Sequence, residues 1–135
     1  MSSSKLIVGQ GVRIKGHTGS VTNVYATPDG QHVVSGSWDD TNRITRIKDG
    51  ELVREIKGHT YRVNSVCVTP DGKHVVSGSV GKTIRVTRLD DGELVREIKG
   101  HTGCVNSVCG TPDGQHVVSC SDDKTIRIMR FDDGE

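Results

Sequence analysis

Histidine is the residue type of this chain best suited to chemistry near neutral pH, because an imidazole can bind a metal ion or transfer a proton. The six histidines fall into two sets with a spacing of 42 residues, which are His17, His59, His101 and His32, His74, His116. Residues that share a catalytic task must converge on one point. A constant spacing instead places one histidine at the same position of each repeated unit, and we therefore interpret both sets as structural.

The cysteines could supply a nucleophile, a disulfide bond or a zinc site, and they are Cys67, Cys104, Cys109 and Cys120. No two of them form a Cys-x-x-Cys pair, and they are divided between the second unit and the third. We therefore predict four free thiols and no metal site. Cys67 and Cys109 lie one repeat apart in strand-like stretches, and we expect both to be buried structural residues.

The sequence lacks the local patterns of a phosphate-binding loop, a nucleophile elbow or a calcium loop. The formal net charge of +1 offers no electrostatic basis for binding a nucleic acid or an anionic membrane. No apolar run has the length of a membrane span, and the N-terminus lacks the apolar core of a signal peptide. We therefore expect a cytoplasmic protein that is not an enzyme, with no cofactor and no membrane or nucleic-acid partner.

The spacing of the histidines reflects an internal repeat, in which Gly-His-Thr begins at Gly16, Gly58 and Gly100. Residues 16–57 match residues 58–99 at 28 of 42 positions, and the sequence DGELVREIKGHT occurs twice without a change. A fixed period of this length is the signature of a repeat architecture. The units are therefore copies of one supersecondary element.

Each unit contains four strand patterns separated by turn residues. In the second unit the predicted strands are VNSVCV (63–68), HVVSGS (74–79), TIRVTRL (83–89) and ELVREI (93–98). The β-branched residues favour strands, and Pro-Asp-Gly and Asp-Asp-Gly favour turns. Four antiparallel strands in a unit of this length are typical of a β-propeller blade. The sequence thus predicts an all-β chain, a single three-blade segment over 1–135 with repeats at approximately 7–48, 49–90 and 91–135.

The unit resembles the WD-repeat family of β-propellers in its Gly-His pairs, its Thr-Pro-Asp-Gly turns, its Ser-Gly-Ser segments and the run DDKTIRI at 122–128. In that family a histidine, an aspartate of the turn between the second and third strands, a serine and a tryptophan form a polar network. By position, the resemblance implies that the network members here are His17, His59, His101, Asp39, Asp123, Ser35, Ser77 and Ser119. The near identity of the units points to a repeat that was recently amplified or engineered.

The chain departs from the family pattern at several network positions. The tryptophan position is occupied by Thr45, Thr87 and Met129. Gly81 replaces the aspartate of the second unit, and Asn42 replaces an isoleucine in the first. We therefore expect incomplete networks and no carboxylate acceptor for the second-unit histidine, a deficit of roughly 1–3 kcal/mol.

Three blades are too few for a closed ring, because propellers typically contain four to eight and each blade face must be covered by a neighbour. Either the chain is a fragment of a larger propeller or several chains close one ring. Residues 11–15 are similar to a fourth strand, and we expect them to complete the last blade of a neighbouring chain, head to tail. Residues smaller than tryptophan at this position reduce the bulk between the outer parts of neighbouring blades, which favours a smaller angle between them and more blades in a ring. We therefore favour a homotrimer with nine blades over a homodimer with six.

The resemblance also implies a scaffold for protein interactions. The copies differ in the loops that follow Gly-His-Thr and that connect the second and third strands, and the family often binds partners on this face. Trp38, Tyr61 and Arg62 lie in these loops and are residue types enriched at interfaces, so they are candidates for binding a protein or peptide. Sequence drift in solvated loops would explain the same differences, and a purely self-assembling structural protein is a further alternative.

Overall fold

The computed structural model describes residue 11 and residues 13–131, and every regular element in this part of the chain is a β-strand. The strands are β1 (Val21–Ala26), β2 (His32–Ser37), β3 (Asn42–Arg46), β4 (Leu52–Ile56), β5 (Val63–Val68), β6 (His74–Ser79), β7 (Thr83–Arg88), β8 (Leu94–Lys99), β9 (Val105–Gly110), β10 (His116–Ser121) and β11 (Ile126–Arg130). The predicted all-β fold is confirmed. In the second unit, β5 and β6 have the predicted bounds, and β8 begins one residue later than predicted.

Antiparallel pairing joins the strands into three sheets that follow one another in chain order. The first sheet has the order β1-β2-β3-β4 and the second β5-β6-β7-β8, which confirms the four-stranded sheets predicted for residues 16–57 and 58–99. The third sheet contains β9, β10 and β11, with β10 in the middle. Residues 132–135 and Val12 of the predicted N-terminal strand lie outside the described residues, and residues 13–15 form no strand within the single chain.

A tight turn with a fixed set of side-chain contacts connects the first two strands of each sheet. In the first unit the Thr27 amide donates to the His32 carbonyl at 2.8 Å. The Asp29 carboxylate accepts hydrogen bonds from the Thr27 hydroxyl at 2.6 Å and the Gln31 amide at 2.9 Å. Gly30 has a φ of 74°, in the left-handed region that favours glycine. The same contacts recur in the other two units, so the repeated Thr-Pro-Asp-Gly sequence fixes the same turn each time.

The three sheets pack face to face in chain order and spread apart toward their fourth strands, an arrangement that we call the fan. Neighbouring first strands lie close together, β1 against β5 and β5 against β9, whereas the fourth strands β4 and β8 lie farther apart. Two apolar layers fill the spaces between the sheets, and their most deeply buried side chains are Val34, Ile44, Val63, Val66, Val75, Val76, Ile84, Val86, Val105 and Val117. Valine and isoleucine therefore make up most of the core, as a chain with few aromatic residues requires.

The cysteines occupy different environments although two of them are repeat equivalents. All four are free thiols in the structure, as predicted. Cys67 is buried between the second and third sheets, and this burial raises the pKa of its thiol to about 12. The prediction that Cys109 is buried was wrong, because Cys109 is exposed. It lies on the face of the third sheet that corresponds to the covered face of the second sheet, and no described residue follows to cover it.

Candidate functional site

The histidine of the first unit connects two loops at one end of the first sheet. His17 lies with Nδ1 2.8 Å from Asp39 Oδ2 and with Nε2 2.8 Å from Ser35 Oγ. The Asp39 carboxylate also accepts hydrogen bonds from the Thr18 amide and the Thr41 hydroxyl. Burial raises the pKa of Asp39, but the hydrogen bonds from Thr41 and His17 outweigh it and lower the pKa to about 2. The carboxylate thus holds the Gly-His segment against the turn between β2 and β3.

The third unit repeats this arrangement. His101 is buried and lies 2.8 Å from both Asp123 Oδ2 and Ser119 Oγ. A hydrogen bond from the Thr125 hydroxyl, together with the contact to His101, lowers the pKa of Asp123 against the opposing effect of burial. The first and third units therefore have the same three-residue contact.

The second unit has a different arrangement because Gly81 supplies no carboxylate. His59 still lies with Nε2 2.8 Å from Ser77 Oγ. The Tyr61 ring occupies the space beside Gly81, where an added Cβ would lie 2.8 Å from Tyr61 Cδ2. Burial, and then the nearby positive charge of Arg85, lower the pKa of His59 to about 4. The glycine therefore removes an acceptor and makes room for an aromatic side chain.

Trp38, Tyr61 and Arg62 form a surface cluster at this end of the fan, which we call the upper patch. The Arg62 guanidinium carbon lies 4.1 Å from the centroid of the Trp38 ring, in cation–π geometry. Both aromatic side chains are about half exposed. The Ser79 hydroxyl donates to the carbonyls of Tyr61 and Arg62, which fixes the loop that carries them. Two predicted partner-binding residues from different sheets therefore touch, and Tyr61 precedes Arg62 in the same loop.

In the described part of the chain, the first and third sheets each have one apolar face that no neighbouring sheet covers. In each sheet, we call the face that carries Val21 or its equivalents Val63 and Val105 the N-side face. The opposite face, which carries Ile84 or its equivalent Ile126, is the C-side face. Val21 on the N-side face of the first sheet is 54% exposed, whereas its equivalents Val63 and Val105 are 0% exposed. On the C-side face of the third sheet Ile126 is 70% exposed, and its equivalent Ile84 is 1% exposed. The open faces carry the residue types that are buried inside the chain.

The junctions inside the chain show what a covered face requires. In the first junction the Thr22 hydroxyl donates to the Val63 carbonyl at 2.6 Å, and Asn23 Oδ1 accepts from the Val66 amide at 2.8 Å. The second junction repeats both contacts with a different pair of side chains. There Asn64 Nδ2 donates to the Val105 carbonyl at 3.0 Å, and Ser65 Oγ accepts from the Val108 amide at 3.1 Å. Each junction thus combines an apolar layer with two hydrogen bonds near the first strands.

A model of the WD domain, G-beta repeat, matches the chain three times, at residues 10–45, 50–87 and 92–129. The chain belongs to the WD40 repeat family. The matches are offset from the sheets by one strand, because the second match begins with β4 of the first sheet and the third begins with β8 of the second sheet. Together they cover strands of all three sheets, so each sheet is a WD40 blade or the described part of one. Members of this family are generally non-enzymatic scaffolds for protein interactions. A comparison with curated proteins finds no match.

The described residues of this WD40 chain contain no group of three or more potential ligands arranged to hold a metal ion. The same residues include no helix with the length and apolar character needed to cross a membrane. A cavity of about 450 Å³ lies on the N-side face of the first blade and is lined in part by Val21, Val24 and Val33. This concave surface of the first WD40 blade therefore belongs to an uncovered blade face.

The repeat pattern singled out the residues of the network and of the upper patch, but it did not single out the residues that form the junctions. Thr22 and Asn64 bridge neighbouring blades, yet they differ in type, so the repeat pattern gave no sign of a shared task. Gly36 and Gly78 pack directly against the next blade. The replacement of glycine by Cys120 at the third copy of this position was the one available signal.

Proposed function

We propose that this chain is a non-enzymatic, self-assembling β-propeller scaffold, in which copies of the chain close the ring head to tail. The proposal is supported above all by the match between the open faces and the junctions inside the chain. Val21 on one open face corresponds to the buried Val63, and Ile126 on the other corresponds to the buried Ile84. A second copy therefore offers each open face the surface that the same residues already contact within the chain.

Polar groups for a junction between copies are also in place. By repeat position, Asn106 corresponds to the bridging Asn64, and Ser107 corresponds to Ser65. Their partners on the next copy are the Val21 carbonyl and the Val24 amide. In the single chain, Asn106 instead donates to Asp122 Oδ1 at 2.6 Å, and Ser107 is exposed. A neighbouring copy would give both side chains the inter-blade contacts made by their equivalents.

The proposed ring contains three copies and nine blades, and a ring of two copies and six blades is the alternative. Nine blades require an angle of about 40° between neighbours, and six require about 60°, by division of a circle. Thr45, Thr87 and Met129 occupy the position where the family carries a tryptophan, and all three are buried. Side chains smaller than tryptophan reduce the bulk between blades away from the ring centre, which favours the smaller angle.

We further propose that residues 11–15 supply the fourth strand of the third blade of a neighbouring copy. The edge strand β11 lies at the border of its sheet, so it can accept another strand. Val12 lies outside the described residues, and the pairing is part of the proposal. Deletion of residues 1–15 should weaken the assembly and leave the two four-stranded blades folded.

The proposal can be tested by blocking one open face at a time. Ile126→Lys places a charge on the C-side face, and Val21→Lys does so on the N-side face; both side chains are more than half exposed, so the chain should still fold. Each variant alone should be monomeric, and an equimolar mixture should stop at a dimer, because only one pair of faces remains apolar. Val95→Lys on β8 is the control and should assemble like the wild type. Assembly of both blocked variants to the wild-type mass would contradict the proposal.

A second candidate function is the binding of a peptide that carries a carboxylate side chain at the upper patch. The observation that favours it is the Trp38–Arg62 stack, which presents a cation and an exposed aromatic ring side by side across two blades. Trp, Tyr and Arg contribute most of the binding free energy at many interfaces. A peptide array with acidic and matched neutral sequences tests it, and equal binding of both sets would contradict it.

A further inference from the structure

In the first two blades, the second strand has a glycine that lies directly against the next blade. A Cβ added to Gly36 would lie 2.7 Å from Val63 Cγ1 and 3.1 Å from Val66 Cγ1. A Cβ added to Gly78 would lie 2.6 Å from Val105 Cγ1. Carbon atoms that are not bonded pack at about 3.5–4.0 Å, so neither junction could keep its geometry with any other residue at this position. The glycine is thus a steric requirement of both junctions.

The third blade does not meet this requirement, because it has Cys120 at the corresponding position. Cys120 pairs with Ser107 of β9 and Ile126 of β11, just as Gly78 pairs with Ser65 and Ile84. The equivalence of the position therefore rests on strand register as well as on the sequence repeat. Cys120 shares the open C-side face with Ile126 and is partly buried.

We propose that Cys120 determines the geometry of the junction between copies and sets it apart from the junctions within a chain. This inference rests on the proposed head-to-tail assembly. The valine that would meet Cys120 is Val21 of the next copy, the equivalent of Val63 and Val105. Because the Cβ of Cys120 prevents the close approach made at Gly78, the neighbouring blade must lie farther away at this point.

The position of Cys120 decides how the added distance affects the ring. The contact lies between a second strand and the first strand of the next blade, in the part of the fan where the sheets approach most closely. Extra separation near the centre, with unchanged packing at the outer strands, reduces the angle between two blades. A reduced angle allows more blades in one turn. Cys120 therefore favours the nine-blade ring and makes the junction between copies weaker than the junctions inside the chain.

Cys120→Gly is the direct test, and Cys120→Ala is its matched control, because alanine removes the thiol and keeps the Cβ that causes the steric conflict. Native mass spectrometry and dilution experiments on the wild type and both variants measure copy number and dissociation. Cys120→Gly should dissociate at an at least tenfold lower concentration and shift the population toward two copies, while Cys120→Ala should behave like the wild type.

The possible results separate the two proposals. Equal behaviour of the wild type, Cys120→Gly and Cys120→Ala in an assembled state would overturn the role of Cys120 and leave the head-to-tail ring intact. Equal gains from glycine and alanine would also overturn it, because the thiol and not the Cβ would then be responsible. A wild type and a Cys120→Gly variant that both remain monomeric would overturn the ring and this inference together. A monomeric wild type with an assembling Cys120→Gly variant would support the steric role and contradict assembly of the natural chain.

Discussion

Arg62 lies over the indole ring of Trp38, with its guanidinium carbon 4.1 Å from the ring centroid, and this contact joins the first two blades at the upper patch. The two residues belong to loops that vary among the copies, so the contact is specific to one of the two junctions. The third unit has Asp122 at the position of Trp38, and the second has Val80. The upper patch is therefore a local feature of an otherwise repetitive surface.

The Trp38–Arg62 contact should contribute to stability as well as to binding. Exposed cation–π pairs are worth about 0.5–1 kcal/mol. We expect a coupling free energy of about this size in a double-mutant cycle of Trp38→Ala and Arg62→Ala, measured by chemical denaturation. The same substitutions and Tyr61→Ala should reduce binding of carboxylate-bearing peptides without changing the mass of the assembly. Lys57→Ala, which removes a charge elsewhere, serves as the control, and equal peptide binding by all four variants would exclude the upper patch as a binding site.

Asn42 should be a destabilising residue in the first junction. Its side chain is 2% exposed, and its Oδ1 has no hydrogen-bond partner, whereas the repeat equivalent Ile84 is apolar. A buried polar atom without a partner costs about 1–3 kcal/mol. Asn42→Ile should therefore raise the free energy of unfolding by about that amount, as measured by urea denaturation. The reverse change, Ile84→Asn, should lower the free energy of unfolding. A loss of stability in Asn42→Ile would contradict the interpretation that Asn42 is a destabilising residue.

Tyr61 and Gly81 should behave as a coupled pair. Gly81→Asp alone restores the carboxylate position beside His59, but the new side chain conflicts with the Tyr61 ring, which lies 2.8 Å from an added Cβ. Combined with Tyr61→Gly, the residue of the other two units, the aspartate should form the contact seen at His17 and His101. We expect Gly81→Asp to stabilise the chain only in the Tyr61→Gly background, by about 1 kcal/mol or more. Thermal unfolding of the four proteins in this cycle measures the coupling, and additive effects would contradict the steric explanation.

The stability of the chain should decrease as the pH falls from about 6.5 to about 4, and His59 should cause part of this loss. Burial and the charge of Arg85 lower the pKa of His59 from its usual 6.5 to about 4 in the folded chain. The unfolded chain therefore binds a proton in this range before the folded chain does, which favours unfolding as the pH falls. His59→Gln should flatten the dependence of the free energy of unfolding on pH in this window.

A second loss of stability should follow at lower pH, and it supplies the control for the first. The pKa of Asp39 is lowered from 3.8 to about 2, so the contribution of its ionised form is present above pH 3.8 and is lost as the pH falls toward 2. Asp39→Asn should remove part of this second step and leave the His59 step in place. A wild-type profile without any change between pH 6.5 and 4 would contradict the assignment to His59.

The repeat made the blades predictable, because turn residues and β-branched runs recur with one spacing and determine local structure. The environment of each residue was less predictable, since it depends on whether a neighbouring blade is present. Cys67 and Cys109 have the same local sequence pattern, but one is buried and the other exposed. The role of Gly81 was predicted only in part. The sequence shows that Gly81 stands where the other units have an aspartate, but it does not show that the Tyr61 ring fills the space beside it. The steric requirement at Gly36 and Gly78 likewise depends on a distance between blades.

The native mass of the purified wild-type chain is the decisive test of the head-to-tail ring. Val21 and Ile126 on the two open faces predict that copies associate head to tail into a closed ring. Native mass spectrometry across a range of concentrations should show a discrete species of three times the 14.6 kDa chain mass, with no larger open series. A species of twice the chain mass would contradict the nine-blade ring and retain the head-to-tail junction. A chain that stays monomeric at all concentrations would contradict head-to-tail assembly.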